Sequence, residues 1–342
     1  MERLMTRPFL DSFGRAVTYL RVSVTDRCDM RCLYCMAEDM TFLPKPEILS
    51  YEELERICAA FIHNGVRRIR VTGGEPLVRR DVMSFFSAMG EWLRRPVDEP
   101  RLDELTLTTN GSRLGEFAIP LHAAGVRRVN ISMDSLDPTR FATITRRGNL
   151  RKTLDGVRAA KEAGLKIRIN AVAMAGLNDD EFDDMIAWCG QIGADLCLIE
   201  TMPMGETGDD RQNRYIPLDR VRADLALRWT LEPLTHRTGG PARYMRVAET
   251  GQKIAFITPM SHNFCESCNR VRLSCTGQLY SCLGHEGASD LRGPLRAGMD
   301  DAGILRLVQS AIGRKPKGHD FMLDRAADDP ARISRHMSVT GG

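Results

Sequence analysis

No run of about eighteen apolar residues occurs in this 342-residue chain, so the sequence predicts no membrane-spanning helix. The opening segment, residues 1–10 (MERLMTRPFL), lacks the continuous apolar stretch and small-residue cleavage site of a secretory signal. No G-x-x-x-x-G-K-[ST] motif is present, which argues against a P-loop nucleotide hydrolase. Excess charge is also scarce. The 48 Lys and Arg nearly balance the 45 Asp and Glu, and a formal +3 is too little to predict a nucleic-acid or membrane partner. No internal repeat or low-complexity tract stands out. The expected location is the cytoplasm.

What the chain does have is an ordinary globular balance, 43% hydrophobic and 27% charged, with ample material for a core. It also has ten cysteines. In a chain without a leader they are expected to stay reduced, where thiolates serve metals or catalysis more often than disulfides.

Short β-type runs alternate with amphipathic helical segments over the first two thirds. The pattern predicts strands at residues 17–24, 68–72, 105–109, 127–133, 166–173 and 196–201, each β-branched or apolar and close to Gly or Asn. The clearest helix begins at Ser50, with Glu53 completing a capping box and Leu54, Ile57, Cys58, Phe61 and Ile62 on one face. Others are expected to start near Asp81, Leu150 and Asp180. Alternation of this kind implies a parallel sheet with right-handed crossovers. Six units fit an α/β partial, TIM-like (β/α)6 barrel, with an open doubly wound sheet as the alternative. Residues 204–214 (MGETGDDRQNR) read as a long polar loop, followed by a helix around residues 218–229. Past a boundary near residue 235 the pattern changes to short strands, clustered cysteines and one helix near residues 303–313. Two regions are therefore expected, 1–235 and a smaller α+β region, 236–342.

Cys28, Cys32 and Cys35 (CDMRCLYC) have C-x3-C-x2-C spacing in a loop directly after the first strand. One such loop can wrap a single metal centre, and three thiolates on a [4Fe–4S] cube leave one iron open. On spacing alone the alternative is a zinc ion with a fourth ligand from elsewhere. Cys265, Cys268 and Cys282 give C-x2-C-x13-C, with Cys275 between them as a possible fourth ligand, and here zinc is an equal reading. Arg21, Arg70 and Arg168 fall inside strand patterns, where a charged side chain faces either water or a barrel lumen. Arginine's planar fork suits phosphate oxygens.

The first cysteine motif, with Tyr34 just before its last Cys, resembles the signature of the radical S-adenosylmethionine superfamily. Thr72-Gly73-Gly74-Glu75-Pro76 is similar to that family's GGEP-type loop, and Ser132 and Asp134 (NISMDS) to another cofactor-contacting position. Glycine in that loop is expected to let backbone groups approach the cofactor's ammonium group. Both cysteine motifs, taken with Cys268-Asn269-Arg270-Val271-Arg272, resemble the GTP 3′,8-cyclases of molybdenum cofactor biosynthesis along essentially the whole chain.

That resemblance implies a barrel of the radical SAM type with two [4Fe–4S] clusters, one on Cys28, Cys32 and Cys35 and one on Cys265, Cys268 and Cys282. It implies S-adenosylmethionine contacts from Tyr34, Gly74, Ser132 and Met202, and GTP contacts from Arg21, Arg70, Thr108, Arg168, Arg270, Val271 and Arg272. Arg270, Arg272 and the terminal Gly341 and Gly342 take catalytic roles by the same match, and Cys275 becomes a spare buried thiol. The implied reaction removes the C3′ hydrogen of GTP with a 5′-deoxyadenosyl radical and joins C3′ to C8, giving 3′,8-cyclo-7,8-dihydro-GTP. An electron donor and a downstream cyclic pyranopterin monophosphate synthase are the implied partners of a monomer or homodimer. Two positions depart from the family's usual residues: Arg168, often Lys, and Cys197, often Arg. The rival readings are a radical enzyme acting on a peptide or RNA, and a zinc-binding scaffold.

Overall fold

The computed structural model describes residues 8–208, 211–236, 238–323 and 333–341. Gly342, residues 209–210 of the polar loop and the first seven residues of the opening segment lie outside the described residues. Strands β1 (Tyr19–Ser23), β2 (Arg68–Thr72), β3 (Glu104–Thr109), β4 (Arg128–Ser132), β5 (Lys166–Ala173) and β6 (Asp195–Glu200) lie side by side in chain order, all parallel. A doubly wound sheet would reverse its order at a switch point, so this order decides for the partial barrel.

Helices α1 (Tyr51–His63), α2 (Val82–Arg94), α3 (Leu114–Ala123), α4 (Pro138–Thr145), α5 (Leu150–Glu162) and α6 (Phe182–Ile192) occupy the crossovers. The capping box opens α1 as expected: Ser50 Oγ accepts from the Glu53 N–H at 3.1 Å, and Glu53 accepts from the Ser50 N–H at 2.7 Å. Two helices were not legible. α3 carries Pro120 in its interior and Gly115 in its first turn, and α4 is a short helix behind Pro138. Side-chain alternation along the strands then separates two faces. Leu20, Val22, Ile69, Val71, Leu107, Val129 and Ile169 are buried in the core, while the register sets Arg21, Arg70 and Thr106 side by side on the opposite, luminal face.

After β6 come a helix at Leu218–Leu225, β7 (Leu231–Pro233), β8 (Arg243–Val247), β9 (Lys253–Ile257), β10 (Arg270–Leu273), β11 (Gln278–Tyr280) and β12 (Ala288–Asp290), then a helix at Asp301–Gly313. β9 pairs parallel with β6, and β10 pairs parallel with β1. Both edges of the six-stranded barrel are thus extended by strands from the carboxyl-terminal region, in one sheet that has twelve strands among the described residues. The sheet does not close, because β9 and β10 are not paired; residues 258–269 cross between them. Residue 235 falls between β7 and β8, inside this continuous sheet. Among the described residues no helix is long and apolar enough to cross a membrane.

Candidate active site

The first cysteine loop leaves β1 and is pinned onto α4, where the Arg31 and Leu33 N–H groups donate to Thr145 O at 2.9 Å and Ile144 O at 3.0 Å. The Arg31 guanidinium donates to Cys28 O at 2.7 Å and lies over the Phe42 ring. Gly73 and Gly74 seat this loop against β2. A Cβ on Gly74 would stand 2.7 Å from Asp26 O and closer still to Arg27 O, and one on Gly73 would stand 2.7 Å from Thr25 O. The observed reason for these glycines is therefore contact between two backbones, reinforced by Gly74 N–H to Thr25 O and Glu75 N–H to Arg27 O, both 2.8 Å. This packing stands beside the expected approach of the loop to a cofactor's ammonium group; Gly74, like Cys28, Cys32 and Cys35, is not among the residues that line the luminal cavity.

Glu75 continues the brace across the strand ends, accepting from Asn110 N–H at 2.6 Å, Thr109 Oγ1 at 2.8 Å and Leu77 N–H at 3.0 Å. Burial pushes its carboxyl up to about 7 against these donors. Tyr34 donates to Asp134 at 2.8 Å, and the other Asp134 oxygen accepts from Val172 N–H at 2.8 Å. Burial pushes Asp134 up to about 6. Burial also pushes the Cys28 and Cys32 thiols up, with Glu75 next for Cys28 and Asp134 next for Cys32. Thiolates in this acidic surround need a cationic centre to hold them, as iron in a cluster would.

The second cysteine set stands across the lumen. Cys265 and Cys268 lie on the crossing segment, and Cys282 follows β11. Glu200 at the end of β6 is wholly buried and anchors that segment, accepting from Met260 N–H at 2.8 Å, Ser261 N–H at 3.0 Å and Ser261 Oγ, with Leu218 N–H at 3.1 Å. Arg15, itself held by Asp11 at 2.6 Å, donates to Cys265 O at 2.7 Å, Pro316 O at 2.6 Å and Lys317 O at 2.8 Å. Burial alone would raise the Cys268 thiol; Arg270 and Lys315 outweigh it and bring the group down to about 7. Cys275 is buried elsewhere, pushed up to about 12 by burial with Asp26, Ser23 and Arg79 as its neighbours, and is not part of the cavity wall. Among the described residues no three His, Cys, Asp or Glu side chains gather closely enough for a single metal ion. Three soft thiols per set are a donor set suited to an iron–sulfur centre with one iron left open.

The second set borders a cavity that the first loop reaches through Tyr34; Cys28, Cys32 and Cys35 are not among the residues that line it. Its wall includes Cys265, Cys268 and Cys282, and on the other side Tyr34 from the first loop, with Ser132 and Met202. Between them lie Arg21, Arg70, Thr108, Arg168, Arg270, Val271 and Arg272. Pairing explains the gathering: Arg272, Arg21 and Arg70 are register partners across β10, β1 and β2. Burial, followed by the other guanidiniums, lowers Arg21 and brings Arg272 down to about 9; burial brings Arg70 down to about 10. Arg21 Nε, Arg70 Nε and Thr108 Oγ1 are buried without a hydrogen-bond partner. Crowded cations and orphaned donors call for a polyanion. The tail reaches the same place, with Thr340 O accepting from Arg272 at 3.3 Å and Gly341 O also accepting from it. Gly341, at φ 72°, packs so tightly on Thr72 that a Cβ would overlap the Thr72 hydroxyl. Glu200, Arg15 and Lys315 were missed from the sequence; the only signal was the Lys-Pro-Lys-Gly-His run at residues 315–319, just past the last long helix.

A family model described as Radical SAM superfamily matches residues 22–189, and one described as Molybdenum Cofactor Synthesis C matches residues 194–321. A GTP 3′,8-cyclase of Rhizobium meliloti (strain 1021) is 58% identical over 337 residues, 98% of this chain and 95% of the relative. Another, of Rhodopseudomonas palustris (strain TIE-1), is 56% identical over 336 residues, 98% of this chain and 96% of the relative. The chain belongs to the GTP 3′,8-cyclase family. The fold of this family member is also that of SuiB of Streptococcus suis, solved bound to S-adenosylmethionine, with a TM-score of 0.58 at 15% identity over 98% of this chain and 77% of that one. Within this GTP 3′,8-cyclase family member the Cys197 departure is absorbed by packing. Cys197 is wholly buried with Ala242, Tyr244 and Ala255, and Arg168 is held by donating to Tyr244 OH at 2.8 Å.

Proposed function

We propose that the chain converts GTP to 3′,8-cyclo-7,8-dihydro-GTP, the first step of molybdenum cofactor biosynthesis, in the cavity between its two cysteine triads. The observation that carries the reading is the set of luminal guanidiniums, Arg21, Arg70 and Arg272, in register across three strands. Cys28, Cys32 and Cys35 would hold one [4Fe–4S] cluster and Cys265, Cys268 and Cys282 the other, with S-adenosylmethionine beside Tyr34, Ser132 and Met202. When bound, the first cluster and S-adenosylmethionine supply the hydrogen-abstracting power that no side chain has.

The residues of the chain do the rest. Arg21, Arg70, Arg168 and Arg272 neutralise the triphosphate and fix the ribose, and Thr108 Oγ1 offers an unused polar atom. Holding one C–H bond in place replaces a bimolecular encounter by a positioned one. Arg270 and Val271 place the substrate against the second triad, and Gly341 lies at Arg272, where its carbonyl orients the guanidinium. A reducing compartment, the cytosol, suits ten free thiols. A one-electron donor and an enzyme that consumes the cyclised nucleotide are the partners this chemistry requires.

The test is anaerobic incubation of the reduced, reconstituted protein with S-adenosylmethionine and each nucleoside triphosphate in turn. 5′-Deoxyadenosine is expected to form with GTP and to remain at background with ATP, CTP or UTP. Formation indifferent to GTP would reject the substrate assignment.

A further inference from the structure

The two cysteine triads sit in opposite electrostatic surroundings. Around the first, Asn110 Nδ2 approaches Cys28 Sγ at 3.8 Å and the Arg31 guanidinium lies against Cys28 O, but three carboxylates, Asp29, Glu75 and Asp134, outnumber that cation. Beside the second lies Lys315, only 2% exposed. Its ammonium group donates to Arg270 O at 2.9 Å, to Ser281 O at 2.5 Å and to Cys268 Sγ at 3.5 Å. Three donors thereby meet three acceptors, and two of these are neutral carbonyls. Among the described residues Lys315 pairs with no carboxylate.

A buried ammonium without a counter-charge costs several kcal/mol, roughly the stability of a small domain. The chain nevertheless directs this one inward. The helix at Asp301–Gly313 ends just before it, Lys315 N–H donates to Ile312 O at 2.9 Å, and Pro316 cannot continue the helix. Arg15 then fixes the following carbonyls, Pro316 O at 2.6 Å and Lys317 O at 2.8 Å, while also holding Cys265 O. Segment 315–317 therefore touches every piece of chain that carries a second-triad cysteine.

We infer that Lys315, beside the Arg270 guanidinium at 3.8 Å from Cys268 Sγ, is a built-in counter-charge of the second triad: it ties β10 to the Cys282 segment and stabilises the reduced state of the centre bound there. This rests on the two-cluster reading above. When one electron from an external reductant enters the centre, the added negative charge falls beside a fixed cation that no solvent screens. Lys315 acts through Cys268 and is a positioning residue. The first triad, with carboxylates instead, is the harder of the two to reduce.

The test uses the full chain with Cys28→Ala, Cys32→Ala and Cys35→Ala, so that only the second centre is observed. Iron content and an EPR-monitored reductive titration are compared for Lys315, Lys315→Met and Lys315→Arg. The methionine variant is expected to keep about four irons per chain and to show a more negative midpoint potential, which the arginine variant largely restores. Lys315→Gln, which keeps a donor without the charge, gives the same comparison should the methionine variant bind iron poorly. An unchanged midpoint at full iron content overturns the role of Lys315 and leaves the two-cluster reading standing. No iron in the protein with Lys315 intact rejects that reading and this inference together.

Discussion

Arg70 is 5% exposed, lies over the Tyr19 ring and has a buried Nε without a partner. For folding alone this is a poor choice, because an unpaired buried charge keeps its desolvation cost and receives little in return. The arrangement makes sense only with an anion present. Arg70→Met, similar in reach and free of charge, is expected to raise the unfolding free energy of the nucleotide-free protein by about 1–4 kcal/mol. The same change removes a charge-assisted hydrogen bond worth about 1.5–3 kcal/mol, so GTP affinity should fall by about 10- to 100-fold. Denaturant unfolding and calorimetric GTP binding measure the two effects, and stability and affinity moving down together would reject this account. The arginines were legible from the sequence because a charge inside a strand pattern must face water or a lumen. Lys315 was not, because a lysine after a helix reads as solvated surface, and only packing against segments 34 to 47 residues away in the chain buries it.

At the scale of elements, much of the barrel was written locally. Strand alternation gave the bounds 68–72 and 166–173 that β2 and β5 adopt, and the Ser50–Glu53 pair set the start of α1. α3 escaped because its Pro120 and Gly115 are residues that end helices more often than they build them. The parallel pairing of β9 and β10 escaped for another reason. No local pattern records which distant edge a four- or five-residue strand will join. The Gly73–Gly74 turn shows the same limit: the glycines were legible as a functional loop, while the backbone they touch was not. Gly74→Ala would drive a Cβ into the carbonyls of Asp26 and Arg27, which are main chain and have no rotamer to yield. The first cysteine loop should lose its seat, so iron after anaerobic reconstitution is expected to fall from about eight to about four per chain, with the second triad still loaded. Gly115→Ala, where a Cβ meets nothing within 4 Å, is the control and should gain about 0.5–1 kcal/mol of stability. Full iron content in Gly74→Ala would show that the two loops are not coupled.

At the scale of the whole molecule, the carboxyl-terminal region is part of the barrel's wall. β10 covers the β1 edge with Val271 and Leu273, and β9 covers the β6 edge with Ile254 and Phe256, all four side chains buried. At roughly 1.5–3 kcal/mol for each buried side chain, these four contribute about 6–12 kcal/mol, as much as the net stability of a typical protein. Removing them would also leave two bare parallel edges open to aggregation. The chain is therefore expected to unfold as one cooperative unit, with a single calorimetric transition whose van't Hoff and calorimetric enthalpies agree. A fragment comprising residues 1–235 should fail to give soluble, iron-binding protein. Two separated transitions, or a fragment that folds and loads the first centre alone, would mean that the barrel and the second cysteine set are independent bodies. The register of Arg272 beside Arg21 would then be a docking contact and not a property of one sheet. The proposed function gives the reason to expect a single unit: a substrate held between two triads would need their separation fixed, and a continuous hydrogen-bonded sheet fixes it more firmly than a hinge between domains.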